Sequence, residues 1–372
     1  MKTAAVLFAA LIGLAACQAK TEPVFHADGN PKLLSEWGQV SVQKGALRLS
    51  ADVVPYDLNT PLFSDYAQKL RTVWIAGDEA AGYSETDTFD FPVGTVITKT
   101  FYYAGDPDTN TVTPFKVLPL NNHVLPLSDT RLVETRVLAR RETGWIALPY
   151  VWNAEQTEAV LSRTGDAQKL TMQDGDIATE FTYIVPNVNQ CAGCHAVDSN
   201  SKDVQPIGPK ARHLNKDFRY PEGQKNQLAY WQSHGLVKNA PDAPPANADW
   251  TDTSRSVNDR ARAYLDINCS HCHSKTGPAD TSGLHLTPET PPGPHLGVCK
   301  TPIAAGRGTG NRKFGIVPGN AEASIFTYRI ESTNPAIMMP ETGRALTHTE
   351  GAALIREWIN GLDGTCETDP SR

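Results

Sequence analysis

The stretch Val257-Asn-Asp-Arg-Ala-Arg-Ala-Tyr-Leu-Asp-Ile-Asn-Cys-Ser-His-Cys-His273 joins a helical pattern directly to a C-x-x-C-H motif. Its apolar residues recur at the i, i+4, i+7 and i+8 spacing of a packed helix: Val257, Ala261, Tyr264 and Leu265. A second stripe precedes Gly361 and consists of Leu354, Ile355, Trp358 and Ile359. Thr347, with Glu350 three residues on, has the capping-box pattern that begins such a helix. The sequence therefore predicts two helices that frame residues 255–366.

A second C-x-x-C-H motif lies upstream, in Cys191-Ala-Gly-Cys-His195. Two thiols at this spacing add across the vinyl groups of a haem, and the adjoining histidine then reaches the iron. A lone C-x-x-C also occurs in redox disulfides and zinc sites, but the adjoining histidine, present in both motifs, favours haem. We therefore predict two haem c groups, attached covalently at Cys191, Cys194, Cys269 and Cys272, with His195 and His273 as proximal iron ligands. His271, between the two thiols of its motif, is not expected to be an axial ligand.

The N-terminus predicts the compartment. Met1-Lys2 is followed by an apolar run from Ala4 to Leu14, which is too short to span a bilayer but suits a signal peptide over residues 1–16. The run ends in Leu14-Ala-Ala-Cys17 and resembles a bacterial lipoprotein signal, which implies a lipid on Cys17; an ordinary signal peptide cut nearby is the alternative. We expect a chain anchored by lipid in the bacterial cell envelope, at the outer membrane, and facing the periplasm.

Seven cysteines are present, of which one is assigned to lipid and four to haem. Cys299 and Cys366 are left over, and in an oxidising periplasm two such thiols predict a disulfide. The loop-entropy relation gives this cross-link roughly 4 kcal/mol, less any strain. Two unpaired thiols are the alternative.

The charge of the chain argues against one class of partner. The formal net charge is −7, and no long run of either sign occurs. Nucleic-acid binding needs a concentrated basic face, so no nucleic-acid partner is expected.

The chain divides by composition into four parts after the signal peptide. Residues 31–186 are rich in β-branched and aromatic runs such as Val96–Tyr103, which predicts an antiparallel β domain, a sandwich or a barrel. Residues 187–238 carry the first haem motif, and the proline-rich residues 239–254 form a linker. Residues 255–366 are predicted to form a mainly α domain. The expected fold class is therefore multidomain α+β.

The segment from Val257 to Leu362 resembles a class I cytochrome c domain. In such domains a distal methionine lies in a loop, commonly beside a proline. The resemblance implies Met339, directly before Pro340, as the sixth ligand of the second haem, with Met338 as the alternative. Both could instead fill gaps in the core. A histidine–methionine pair raises the reduction potential and suits electron transfer.

The sixth ligand of the first haem is less defined. No methionine occurs between His195 and the linker. His213 and His234 are the later candidates, Met172 precedes the motif, and a water-ligated or open iron is the remaining option.

Five further stretches extend the resemblance over nearly all of the mature chain: Pro61–Tyr66, Phe91–Phe101, Tyr150–Glu158, Pro206–Lys210 and Ala261–Cys269. They are similar to a family of proteobacterial di-haem c-type cytochrome lipoproteins, largely uncharacterised. The resemblance implies a parallel β-helix repeat protein as a partner. Where His213 stands, related sequences tend to carry Asn or Gln, which weakens its case as a ligand.

Three functions fit these patterns. The first is a periplasm-facing di-haem cytochrome that transfers electrons between redox partner proteins. The second is a di-haem enzyme of peroxidase type, with an open first haem for chemistry; a self-contained enzyme is the less favoured of these two. In the third, the β domain binds a partner or glycan that the haems serve. Spin state separates the first two functions, because an open iron is high-spin.

Overall fold

We describe residues 22–114, 120–196, 198, 200, 201 and 203–366 in a computed structural model. This part of the chain forms sixteen strands: β1 Val40–Gln43, β2 Ala46–Leu49, β3 Val54–Tyr56, β4 Gln68–Ile75, β5 Ala81–Gly82, β6 Thr95–Ala104, β7 Thr111–Val112, β8 Val124–Pro126, β9 Thr130–Arg141, β10 Gly144–Trp152, β11 Ala159–Leu161, β12 Asp166–Asp174, β13 Ile177–Val185, β14 Asp217–Tyr220, β15 Gly223–Asn226 and β16 Val237–Lys238. It also forms six α-helices: α1 Val188–His195, α2 Ala211–Leu214, α3 Gln227–Ser233, α4 Val257–Leu265, α5 Ile325–Glu331 and α6 Thr349–Asn360.

The largest sheet has six strands in the order β11-β10-β9-β6-β4-β3, and all its neighbours are antiparallel. Its long strands β6 and β9 consist of the β-branched and aromatic runs that favour a pleated, half-buried surface. Two three-stranded sheets, β1-β2-β8 and β13-β12-β7, accompany it. The remaining pairs are β14-β15 and β16-β5.

Apolar side chains fill both faces of the large sheet. One cluster includes Trp37, Leu47 and Tyr150, all fully buried, and packs β1, β2 and β8 against it. Another includes Phe101 and Tyr183 and packs β12 and β13 against it. Burial on this scale supplies most of the free energy of folding, and it fixes the sheet as a rigid wall for the site described below.

The predicted fold class is wrong. The described chain is mostly β, and residues 255–366 do not form a mainly α cytochrome c domain, because α4, α5 and α6 are separated by long loops. The cause is local: the connection between α4 and α5 is rich in proline and glycine, with a positive φ at Gly283, Gly293 and Gly297 that interrupts helices. The expected antiparallel sandwich or barrel over residues 31–186 is also corrected, since three sheets form within this range and one of their pairings, β12–β7, is parallel.

Helices α4 and α6 still pack together near the C-terminus. The apolar faces of α4 and α6 meet in one cluster that contains Tyr264, Leu265, Leu354 and Trp358. A disulfide joins Cys299 to Cys366, with Cα atoms 5.2 Å apart. It closes the chain around α5 and α6, and so restricts the unfolded chain over the segment that carries Met338 and Met339.

Among the described residues, no helix combines the length and the apolar character needed to cross a membrane. The predicted signal peptide and Cys17 lie outside these residues.

Candidate functional site

One large cavity lies between the six-stranded sheet, helix α1 and the C-terminal cluster. It encloses about 1820 Å³ of space, part of which is open to solvent. Much of its wall is apolar, as at Leu58, Phe63, Ile97 and Ile267. Both C-x-x-C-H motifs reach this wall, through Cys191, Cys194, His195, Cys269 and His271. Two motifs that are distant in the sequence therefore share one enclosed space.

The first motif is held by helix α1. The Asn187 side chain accepts hydrogen bonds from the backbone amides of Asn189 and Gln190, and the Gln190 side chain accepts one from the Asn187 amide. This capping box fixes the start of a helix only eight residues long. Near its end, Nδ1 of His195 lies 2.7 Å from the carbonyl oxygen of Gln205. Because a carbonyl only accepts, Nδ1 must carry the proton, and Nε2 keeps its lone pair.

The second motif follows α4 through a π-helical turn at Asp266–Ser270. His273 Nδ1 lies 3.0 Å from the Ser282 hydroxyl, and that hydroxyl donates its own proton to the carbonyl of Ala279. Nδ1 of His273 must therefore be the donor, which again leaves the lone pair on Nε2. Burial lowers the pKa of both His195 and His273 to about 4. Both are neutral at neutral pH, as a metal-ligating imidazole must be.

The two motifs touch at one point. The sulfur atoms of Cys194 and Cys272 and a ring nitrogen of His271 lie within 4.8 Å of one another. The hydrogen bond between the thiols lowers the pKa of Cys194 and raises the pKa of Cys272. A Cys-His-Cys group of this kind is a general metal-ligand set and is not specific for haem.

Met339 lines the cavity, whereas Met338 is buried and is not among the cavity-lining residues. The loop that carries them is held by the buried Arg344, which donates to the carbonyl oxygens of Met339 (2.9 Å) and Ser332 (2.8 Å). The Met339 amide donates to the carbonyl oxygen of Arg329 at 3.0 Å. Of the two methionines, the one preferred from the sequence is thus the one directed toward the shared space.

Asp65 ties this loop to the β-sheet side of the molecule. Its buried carboxylate accepts hydrogen bonds from the amides of Ala345 (2.8 and 3.0 Å) and Leu346 (2.7 Å). Burial raises the pKa of Asp65 from 3.8 to about 6, against the lowering effect of these amides. The residue therefore changes charge in a mildly acidic range.

We expect Asp65→Asn to change the pH dependence of stability. The pKa is higher in the folded protein than in the unfolded chain, so the contribution of this group is fully present below about pH 4 and is lost as pH rises through 6. A difference of this size corresponds to about 3 kcal/mol at ~1.36 kcal/mol per unit. Thermal unfolding between pH 4 and 7 should show the wild type losing stability relative to the variant, while the exposed control Asp174→Asn follows the wild type. A constant difference across this range would contradict the assignment.

The candidates for the sixth ligand of the first haem lie in different surroundings. His213 lines the cavity; its Nε2 lies 2.7 Å from Asp266, and its buried Nδ1 has no hydrogen-bond partner. His234 is exposed and stacks on Tyr230 with ring centres 3.8 Å apart, and it is not among the lining residues. Met172 is buried in the core of β12 and is not among them either.

Four lining residues were not identified from the sequence. His348 stacks on Phe63, and Arg71, Lys99 and Arg136 form a basic part of the sheet wall. Burial and Arg136 lower the pKa of Lys99 to about 7. Lys99 lies within the predicted β run Val96–Tyr103, but only the strand register places Arg71, Lys99 and Arg136 side by side.

The donor set fits the predicted cofactor. Each motif has two cysteines and one imidazole whose Nε2 keeps its lone pair. The cavity wall is largely apolar and includes the Met339 thioether, whereas Cys272 and His273 are not among its lining residues. A porphyrin is a large apolar disc that needs this combination of covalent anchors, axial donors and apolar surface. Cys191, Cys194, Cys269 and Cys272 would attach the two haems, and His195, His273 and Met339 would ligate their irons.

No known protein family, curated protein or solved structure matches this chain.

Proposed function

We propose that this chain is a c-type cytochrome with two covalently attached haems, which transfers electrons between redox partner proteins. One observation carries the proposal: two C-x-x-C-H motifs from distant parts of the chain reach the same cavity, and in each the histidine keeps Nε2 free. When bound, a haem supplies an iron that alternates between ferric and ferrous states.

The residues of the chain would hold and shield that iron. Gln205 and Ser282 fix the tautomer and ring orientation of His195 and His273, which is the usual role of a second hydrogen bond to a ligating imidazole. Met339 would complete the second site, and its thioether would favour the ferrous state. The apolar part of the wall would limit the access of water to the iron, and the polarity around a haem is one of the factors that set its potential.

The experiment is the intact mass of the native protein together with a redox titration. We expect a mass of two haems above the polypeptide and two separable low-spin couples, the lower one belonging to the haem that lacks a methionine. Because the two attachment motifs touch, we also expect electron exchange between the haems. Native protein that carries no haem, or only one, would refute the proposal.

A di-haem enzyme of peroxidase type is the second candidate, and one observation favours it. Among the described residues that line the cavity, Met339 is the only methionine, although two irons would need a sixth ligand. A high-spin component in the paramagnetic-resonance spectrum, together with peroxide turnover, would favour the enzyme. A fully low-spin protein favours the carrier, in which His213 is the better placed of the two histidine candidates.

Membership of the di-haem lipoprotein family, lipid anchoring at Cys17 in the outer membrane with the chain facing the periplasm, and a parallel β-helix partner belong to the same proposal. They rest on the sequence resemblances alone. Mass spectrometry of the native N-terminus tests the anchor: acyl chains on Cys17 support it, and a free Cys17 refutes it.

A further inference from the structure

Three cations lie side by side on the sheet wall of the cavity. In the register of the sheet, Arg71 of β4 is opposite Lys99 of β6, and Lys99 is opposite Arg136 of β9. All three side chains line the cavity. Like charges directly opposite one another on a sheet are destabilising. This row therefore lowers the stability of the folded protein unless an anion compensates its charge.

The protein supplies only part of that compensation. Glu134 accepts two hydrogen bonds from Arg136, at 2.8 and 2.6 Å, and a third from Tyr183. Asp57, on the exposed side, pairs with Arg71. Among the described residues, no carboxylate oxygen lies within 4.0 Å of the Lys99 ammonium.

The neighbouring cross-strand row consists of Lys69, Phe101 and Glu134, and it does not supply the missing negative charge. Lys69 is opposite Phe101, and the Phe101 ring has Lys69, Lys99 and Arg136 within 5.6, 5.3 and 4.4 Å of its centre. The ring quadrupole attracts cations but carries no net charge. Three cations therefore surround one aromatic ring, and Glu134, which is opposite Phe101 in the register, is the one carboxylate of the two rows.

We infer that the row Arg71, Lys99 and Arg136 binds carboxylates, and that these are the propionates of the first haem. The inference rests on the proposed function and adds the polar half of the haem site to it. An arginine fork and a lysine ammonium are the groups that bind carboxylates best, and their hydrogen bonds are strong where water is excluded. The propionates would thus give this positive row a ligand of opposite charge, which is part of the cofactor itself.

The geometry points to the first haem and not to the second. Helix α1, which carries Cys191, Cys194 and His195, packs against β10, and Pro149 of β10 is the cross-strand neighbour of Arg136. Cys191, Cys194 and His195 of the first motif line the same cavity as the row, whereas His273 of the second motif is not among the lining residues. The cationic row therefore adjoins the first motif.

The test is Lys99→Gln in the haem-loaded protein, with Lys225→Gln on the exposed strand β15 as the matched control. Intact mass is measured first, because wild type without haem would refute the proposed function, and this inference with it. With two haems present, loss of a positive charge beside the first haem should lower its potential. We expect at least a tenfold change in its equilibrium constant for reduction, about 59 mV for one electron. The propionate bands in the resonance Raman spectrum should shift, and Lys225→Gln should change neither.

Stability gives a second readout with a definite sign. If propionates occupy the row, Lys99→Gln removes their partner and lowers the melting temperature, while Lys99→Arg keeps it. If the row holds no anion, the same change relieves repulsion and raises the melting temperature, and the inference is wrong. A free anion is the remaining source of charge. Stabilisation of the wild type by added acetate, which is lost in Lys99→Gln, together with unshifted propionate bands, would also overturn the inference.

Discussion

Replacing Cys269 and Cys272 together by alanine is expected to leave the mature protein with one haem where the wild type has two. In the proposed function these thiols would be the covalent anchors of the second haem, and without thioether bonds a c-type haem has no permanent attachment. Cys269 packs against the cluster of α4 and α6, so the cofactor would be part of this core. Intact mass of the denatured protein gives the haem count directly.

A large loss of stability should accompany the loss of the haem. Much of the cavity wall is apolar. Without the cofactor this apolar surface would be exposed to water, which costs about 25 cal/mol of folding free energy for each Å². The remaining haem should also change spectroscopically, because Cys194 of its motif contacts Cys272.

Cys299→Ala with Cys366→Ala is the matched control, since it removes the same number of sulfur atoms. This variant breaks the disulfide and should cost roughly 4 kcal/mol of stability by the loop-entropy relation, yet retain both haems. Two haems in the variant at Cys269 and Cys272 would contradict the assignment of the motif.

Local patterns in the sequence predicted local structure well. The run Val96–Tyr103 is contained in β6 at Thr95–Ala104, and the stripe beginning at Val257 forms α4. In both segments the apolar spacing matches one regular structure over several residues, so interactions between residues close in the sequence determine the secondary structure. A C-x-x-C-H motif is equally local, because it needs only five consecutive residues, and its haem chemistry stays a prediction.

The capping box at Thr347 shows where such patterns fail. Helix α6 begins at Thr349, the Thr347 hydroxyl donates to the carbonyl oxygen of Glu331, and Glu350 accepts a hydrogen bond from Tyr66. Both side chains form tertiary contacts in place of the local pair. The prediction of a mainly α domain was wrong for a related reason. Two correctly predicted helices do not make a helical domain when the residues between them favour turns.

The sequence did not allow us to predict which residues, distant along the chain, come together in the fold. The row of Arg71, Lys99 and Arg136 exists only through the register of β4, β6 and β9, and a shift by one residue would place these side chains on the other face. Likewise, nothing in either C-x-x-C-H motif indicates that Cys194 and Cys272 meet. These long-range pairings define the candidate site, and they depend on the whole fold.

Met339→Ala should have the largest effect on the electronic properties of the second haem. Met339 lines the cavity, and Arg344 and Arg329 hold its backbone on both sides. Loss of the thioether should abolish the weak near-infrared sulfur-to-iron band, convert the second haem to a form with an open or water-ligated sixth position, and lower its potential, because the methionine favours ferrous iron.

Met338→Leu separates ligation from packing. Met338 is 6% exposed and is not among the cavity-lining residues, so a side chain of similar volume should preserve the core at a cost below ~1.5 kcal/mol and leave the band intact. Met339→His extends the comparison, since an imidazole should restore a low-spin iron without restoring the sulfur band. If the band survives in Met339→Ala, or disappears in Met338→Leu while Met339→Leu retains it, Met338 is the ligand and the loop is turned the other way. If neither methionine affects the spectrum, the second iron takes its sixth ligand elsewhere on the cavity wall, where His348 is the nearest in sequence of the lining histidines.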